Sequence, residues 1–363
     1  MTATVGAPVS PAPVWDVING FSSYWALRTA LDLGVFDALA GGQARDGADL
    51  SRAVGAADPT PVTVLADTLI ALGLLTSDDD GRYRLGGAAE RYLTSGSPAS
   101  MAALVRHSPG PARSWPELAH TIRRGSPDPS LAAELAAFYP ELAPATAPTQ
   151  AAVAAAVGSE LERRGRWPAA PVIVDLGCGS GAWLATLLAQ RPDATGVGVE
   201  LPDVLPVAER TAADAAVRDR LTLLGGDYLT VDLPVERADV VVLAHVLRAE
   251  PAGRAQRLLR RAIELAGPNG VVVVADYPRP DDDDRPGGQD RTADTDRTAA
   301  CTAAKHELLL SLTVLASTQG AGVTVAALRA WAGAAGAELI TALEPIPRQH
   351  VYLIAAADRT ERS

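Results

Sequence analysis

The sequence predicts an α/β fold, a helical N-terminal part followed by a parallel sheet wrapped in helices, and three observations carry the prediction. Short aliphatic runs at Val172–Val174, Thr195–Val199, Leu221–Leu224, Val240–Leu243 and Val271–Ala275 alternate with segments of helical period at Ala182–Gln190, Val204–Ala216 and Gly253–Ala266. Strands alternating with helices give a parallel sheet covered on both faces. The first run enters a glycine-rich turn, Asp175–Gly181, and then a helix. Finally, 363 residues are too many for one ordinary core and suit two domains, here 14–165 and 166–358.

Residues Met1 to Pro13 lack a basic segment followed by an apolar one, so they read as a flexible tail and not as a secretion signal. Apolar residues from Trp15 to Leu39 recur at helical spacing, with a face wide for a helix covering one small core. A second helix is expected near Gly47–Val54. A third starts at Asp58-Pro59-Thr60-Pro61, with Thr60 as N-cap, and stops at Gly73. Leu74–Thr76 and Tyr83–Leu85 read as a small hairpin joined by a turn-rich Ser77–Gly81. Three helices followed by a hairpin make a winged helix. Its would-be recognition helix, Pro61 to Gly73, has no Lys or Arg and carries Asp67, so it would repel a phosphate backbone. Dimerisation and substrate capping are the expected uses. Met101 to Ala170 reads as helices broken by Pro and Gly, among them Trp115–Arg124 and Thr149–Arg164. Arg279–Arg297, rich in Asp, Arg, Pro and Gly, reads as a mobile loop beside the site.

Composition excludes several function classes. A net charge of −11 argues against a nucleic-acid partner, which needs clustered cations. No uncharged apolar run reaches the ~18 residues of a membrane span, so a soluble, cytoplasmic protein is expected. The two cysteines, Cys178 and Cys301, and the five histidines are scattered, which leaves neither a disulfide framework nor a metal site.

The chemistry lies in the turn Asp175-Leu176-Gly177-Cys178-Gly179-Ser180-Gly181. Alternate glycines let the backbone turn tightly and approach a ligand. Glu200 closes the next strand, where a carboxylate can accept from both hydroxyls of a ribose. Gly226-Asp227 follows the third strand, placing Asp227 within reach of an adenine amine. Dinucleotide binders use a related turn, but the spacing here is D-x-G-x-G-x-G, with an acid before the glycines. An acid there suits a cationic amino-acid moiety and is poor for a pyrophosphate, which wants bare N–H groups. The competing reading is of three merely solvated strand-end acids, and converging carboxylates without partners are costly.

On these residues the chain resembles the two-domain class I methyltransferases, Rossmann-like in their cofactor domain, that O-methylate small natural products. They include the caffeate-type enzymes of plants and the antibiotic enzymes of actinobacteria. Trp25–Ala40 resembles the family's dimerisation helices and Ala53–Leu85 its winged helix. Asp175–Gly181, Glu200-Leu201-Pro202, Gly225-Gly226-Asp227 and Ala266–Asp276 resemble its cofactor-domain motifs. The resemblance implies S-adenosylmethionine as cofactor, S-adenosylhomocysteine as product, and homodimers formed through N-terminal helices. It implies cofactor contacts from Asp175, Gly177, Gly179, Gly181, Glu200, Leu201, Gly226, Asp227, Tyr228 and His245, and a small-molecule substrate.

The family continues its fourth strand into His-Val-Leu-His-Asp-Trp, the last His being the general base. This chain reads His245-Val246-Leu247-Arg248-Ala249-Glu250. Arginine stays protonated and cannot be that base. Three readings stay open. Arg248 pairs with an acceptor carboxylate or enolate in a transfer that needs no strong base; another histidine, His245 or His306, serves; or the bound sulfonium no longer gives up its methyl group, as in hydroxylase or cyclase relatives. C- and N-methylation are further alternatives. Asp276, Thr313 and Ser317 are expected to line the substrate pocket, and Trp183 to pack between helix and sheet.

Overall fold

A computed structural model of the chain describes residues 10–107, 110, 114–281 and 294–357. The chain divides into two compact units, Met1–Arg106 and His107–Ser363.

The first unit opens with α1 (Ala12–Asp32). Gly34, at φ 74°, ends the helical period before a single turn, α2 (Val35–Ala38), so the expected Trp15–Leu39 helix is two pieces. Then come α3 (Gly47–Ala53) and α4 (Pro59–Ala71). The N-cap of α4 is Asp58 and not Thr60, because the Asp58 carboxylate accepts from the Thr60 amide at 2.8 Å and so satisfies one orphan donor. β1 (Leu75–Ser77) and β2 (Tyr83–Leu85) pair antiparallel, and α5 (Gly87–Tyr92) and α6 (Ala102–His107) follow. Phe36, Leu39, Leu50, Leu69 and Leu75 form the core. On α1, Trp15, Ile18, Phe21 and Trp25 instead stand at least half exposed.

The second unit starts with α7 (Ser114–Arg124) and α8 (Ala132–Arg163). α8 is one continuous helix although Pro140, Pro144 and Pro148 lie inside it, where broken helices were expected. Its C-terminal half buries Val153, Ala154, Val157 and Leu161 in the core below the sheet, so a segment assigned by sequence to the capping domain packs as part of the α/β unit. The sheet elements follow as β3 (Val172–Leu176), α9 (Ala182–Gln190), β4 (Thr195–Glu200), α10 (Leu205–Asp214), β5 (Leu221–Gly225), β6 (Val240–Ala244), α11 (Ala252–Ala266) and β7 (Val271–Asp276). The last elements are α12 (Asp294–Ser317), α13 (Val325–Ala334), β8 (Ala337–Ile346) and β9 (Gln349–Ala356). Most of the expected Asp/Arg-rich loop, 282–293, lies outside the described residues, and 294–297 belongs to α12.

Strand order is β5-β4-β3-β6-β7-β9-β8. The first five strands are parallel, while β9 runs antiparallel to β7 and to β8. The sheet is therefore mixed, not wholly parallel. The order reverses between β3 and β6, and an open α/β sheet binds its ligand outside the carboxyl ends of the strands at such a switch point. α8, α9 and α10 cover one face of the sheet, and α11 and α13 the other. Among the described residues no helix is long and apolar enough to cross a membrane.

Candidate active site

The carboxyl ends of β3, β4 and β5 carry three acids, and the backbone explains their geometry. Gly177 sits at φ 91°, and a Cβ there would lie 2.4 Å from Val246 Cγ1, so no other residue fits this turn. The Gly177 and Cys178 amides both donate to the Val199 carbonyl, at 2.8 and 3.0 Å, tying the turn to β4. Glu200 Oε2 accepts from the Gly179 amide at 2.8 Å and Oε1 from the Leu201 amide at 2.7 Å. Asp175 is fully buried beneath the turn, and neither carboxylate oxygen has a partner among the described residues. Burial first, then the charge of Glu200, pushes its carboxyl well above the ordinary range. Burial also raises Glu200, against its two backbone hydrogen bonds. An orphaned buried acid under a glycine cradle, with a second acid at its rim, is what a cofactor bearing an ammonium group and a ribose would satisfy.

At the end of β5 a network absent from the sequence reading holds the third acid. Arg254 on α11 reaches both oxygens of Asp227, at 3.2 and 3.3 Å, and its Nε donates to Glu250 at 2.7 Å. The Tyr228 hydroxyl donates to the other Glu250 oxygen. Burial and this bond raise the Tyr228 phenol far above its usual range. Glu250, standing where a tryptophan was expected, thus ties the β5 loop to the turn that carries Arg248.

Beyond β6 and β7 the character changes. His245 adopts φ 61°, a conformation costly enough for a non-glycine residue that its surroundings must enforce it. The amide nitrogens of Gln150 (α8) and Gln349 (β9) both lie 2.8 Å from its Nε2, and the Trp183 indole donates to Gln150 Oε1 at 2.8 Å. Nε2 is thus the acceptor and Nδ1 carries the proton, facing Asp276 Oδ1 at 3.7 Å. The two glutamines thus hold the His245 ring in place from α8 and β9. Trp183 packs in the core as expected.

Asp276 is buried and receives the Arg248 amide at 3.3 Å and the Tyr277 amide at 2.8 Å. Its carboxylate thereby ties two backbone turns together. The Arg248 guanidinium lies 5.5 Å over the Tyr277 ring and only loosely against Asp276, at 3.9 Å. Gly320 makes this turn possible, since a Cβ there would sit 2.1 Å from the Arg248 carbonyl oxygen. His245 stacks on Tyr277 at 5.2 Å, and His306 of α12 meets that ring edge-on at 6.0 Å. Thr313 bonds back to the Leu309 carbonyl, and the Ser317 hydroxyl is buried without a partner among the described residues. Tyr139 of α8 joins the two sides. Burial, then Glu200, raises its phenol, with Arg248 opposing and Glu250 adding.

Comparison with known proteins places this geometry. The O-methyltransferase dimerisation domain matches residues 15–95, and the O-methyltransferase domain matches residues 166–336. The chain belongs to the O-methyltransferase family. This methyltransferase is 30% identical to the N,N-dimethyltransferase OxyT of Streptomyces rimosus, over 76% of its own length and 81% of that protein's. It is 29% identical to TcmO of Streptomyces glaucescens, a tetracenomycin polyketide synthesis 8-O-methyl transferase, over 76% of its own length and 80% of that protein's. Its fold matches human N-acetylserotonin methyltransferase in complex with S-adenosylmethionine, with a TM-score of 0.74 at 22% identity over 98% of this chain and 100% of that one. The methyltransferase uses S-adenosylmethionine, and the cradle of Asp175, Gly177–Gly181 and Glu200 fits that cofactor.

Proposed function

We propose that this methyltransferase alkylates a hydroxyl of a small secondary metabolite, the acceptor reacting as an oxyanion held by Arg248. The observation that carries the reading is the Arg248 guanidinium, loosely paired at 3.9 Å and facing Tyr277, at the position where the family places its base. When bound, the cofactor supplies a methyl group on a sulfonium that any well-placed nucleophile can attack. The chain's own residues do the rest. Asp175, Glu200, Leu201, Asp227 and Tyr228 hold the cofactor, with Gly226 shaping the loop. His245, clamped by Gln150 and Gln349, fixes the exit of β6 so that Arg248 is aimed. Arg248 cannot take a proton at working pH but stabilises an oxygen that has lost one. Positioning supplies much of the remaining acceleration.

A second reading has an amine as acceptor. The similarity to an N,N-dimethyltransferase favours it, and a neutral amine attacks through its lone pair without prior loss of a proton, so an absent base is equally accounted for. The expected assembly is a homodimer, supported by the match to a dimerisation domain and by exposed Trp15, Phe21 and Trp25 on α1. Sedimentation of wild type against a Trp15→Ser/Phe21→Ser variant tests it, with a shift to monomer expected. α4 contains no Lys or Arg, which speaks against DNA as a partner.

The deciding experiment incubates the protein with methyl-labelled S-adenosylmethionine and extracts of antibiotic-producing actinobacteria, then locates the labelled carbon by NMR. A labelled methoxy group supports the first reading and a labelled N-methyl group the second. Tight cofactor binding without transfer, while an extract component still changes mass, would overturn both in favour of a hydroxylase or cyclase.

A further inference from the structure

Three basic side chains gather where β6, β7 and β9 meet. Arg248 lies 5.5 Å over one face of Tyr277, and the His306 ring stands 6.0 Å from it, edge-on. Arg348 occupies the turn between β8 and β9. The register pairs Asp276 with His350, so this turn lies beside the end of β7, at the same edge of the sheet. Arg348 is exposed and adopts φ 71°, a conformation for which a turn ordinarily recruits glycine or asparagine. Neither its side chain nor that of His306 has a hydrogen bond or ion pair with another described residue.

The charges around His306 report the local potential. Its imidazole is held below its ordinary value first by burial and then by Arg348, with Arg248 adding and Glu307, beside it on α12, opposing. The ring is therefore neutral at neutral pH, with two guanidinium groups bearing on it. Asp276, the acid paired with Arg248 among the described residues, already receives two backbone amides. Among the described residues the Arg248 guanidinium, itself largely buried, lies against no carboxylate nearer than Asp276 at 3.9 Å. Such burial strengthens charge-assisted hydrogen bonds.

We propose that Arg248 and His306, arranged about the Tyr277 ring, together with Arg348 on the adjoining turn between β8 and β9, form a subsite for an oxyanion carried by the acceptor, of which an aromatic carboxylate is the best-matched example. This rests on the reading that the acceptor binds at this edge, and it adds what class of acceptor that is. Arg248 offers a planar fork of donors, His306 adds an N–H once protonated, and Arg348 closes the rim. A bound anion raises the proton affinity of His306, so binding draws a proton from solvent.

The test is calorimetric titration of the full-length, S-adenosylhomocysteine-loaded protein with 1-naphthoate and with neutral 1-naphthamide. The carboxylate should bind about tenfold or more tightly than the amide, equivalent to ~1.4 kcal/mol. Its binding heat should differ between phosphate and Tris buffers at equal pH, as proton uptake requires. Arg248→Gln and His306→Gln should each reduce the preference, His306→Gln should abolish the proton uptake, and Arg248→Lys should keep part of the preference. Unchanged S-adenosylhomocysteine affinity certifies that each variant is folded. Equal binding of the two probes, no binding of naphthoate, or a preference that survives both Gln substitutions overturns the subsite. A protein that prefers naphthoate yet methylates nothing keeps the subsite and loses the transfer reading. Methyl transfer to neutral acceptors with no naphthoate preference removes the subsite alone.

Discussion

The two halves of the sheet's carboxyl edge are built on opposite electrostatic plans. Below β3, β4 and β5 the chain buries acids, with Asp175 orphaned and Glu200 raised by desolvation. Beyond β6 and β7 it places Arg248 and His306 around an aromatic ring, with Arg348 on the adjoining turn. The first half is a cradle for a cation, so it must be rigid and can be shared by a whole family. The second half is where we propose that the acceptor binds, and there one family member can depart from another. The replacement of histidine by Arg248 falls in that half, whereas the glycine turn keeps the family's pattern.

Substitutions should separate the halves, and the largest effect is expected from the turn. Gly177→Val places a branched side chain 2.4 Å from Val246 Cγ1 at φ 91°, a combined cost of about 3 kcal/mol or more. Loss of S-adenosylhomocysteine binding and a lowered melting temperature would be seen by calorimetry and thermal unfolding. If binding survives, the cradle is not rigid. Arg248→Gln removes the anion donor proposed for the acceptor, which should lower kcat by ~100- to 1000-fold while leaving S-adenosylhomocysteine affinity within about twofold. A matched loss of cofactor affinity would mean that the two halves are one site.

Asp175→Asn acts in opposite directions on apo and bound protein. In the apo protein Asp175 has its pKa raised, so the native state binds more protons than the unfolded chain above the ordinary carboxylate pKa. Stability is therefore fully present below that value and is lost as pH rises towards the raised one. The variant should be more stable than wild type at neutral pH, by roughly 1 kcal/mol or a few degrees in Tm, yet bind S-adenosylhomocysteine more weakly. The smallest effect is expected from Glu250→Gln. It loosens the tie from Tyr228 and Arg254 to the β5 loop, and cofactor affinity should fall about three- to tenfold.

Much of the cofactor half was legible because its signals are local. An aliphatic run sets a strand, the glycine spacing sets the turn, and Asp175, Glu200 and Asp227 follow from their places at strand ends. The acceptor half is assembled from distant segments. Gln150 comes from α8, Gln349 from β9 and Tyr277 from the end of β7, and no spacing connects them before the chain folds. The antiparallel course of β9 is equally silent, since a buried aliphatic run looks alike in either direction. The Asp58 cap was missed because Pro61 drew the helix start two residues too far. The three prolines of α8 misled more seriously, for helix propensity counted against a segment that packing on the sheet keeps helical.

That helix has a mechanical consequence. Pro140, Pro144 and Pro148 recur every four residues, so they lie along one side of α8. Having no N–H, they leave the carbonyls of Ala136, Pro140 and Pro144 without amide partners on that same side. The C-terminal half of α8 is clamped to the sheet through Val153, Val157 and Leu161, while Tyr139 stands just ahead of the first proline. A bend along the proline seam would therefore strain fewer backbone hydrogen bonds than a bend elsewhere in α8, while the C-terminal half stays anchored. Tyr139, whose phenol lies in the fields of Glu200 and Arg248, sits across that seam from the anchored half.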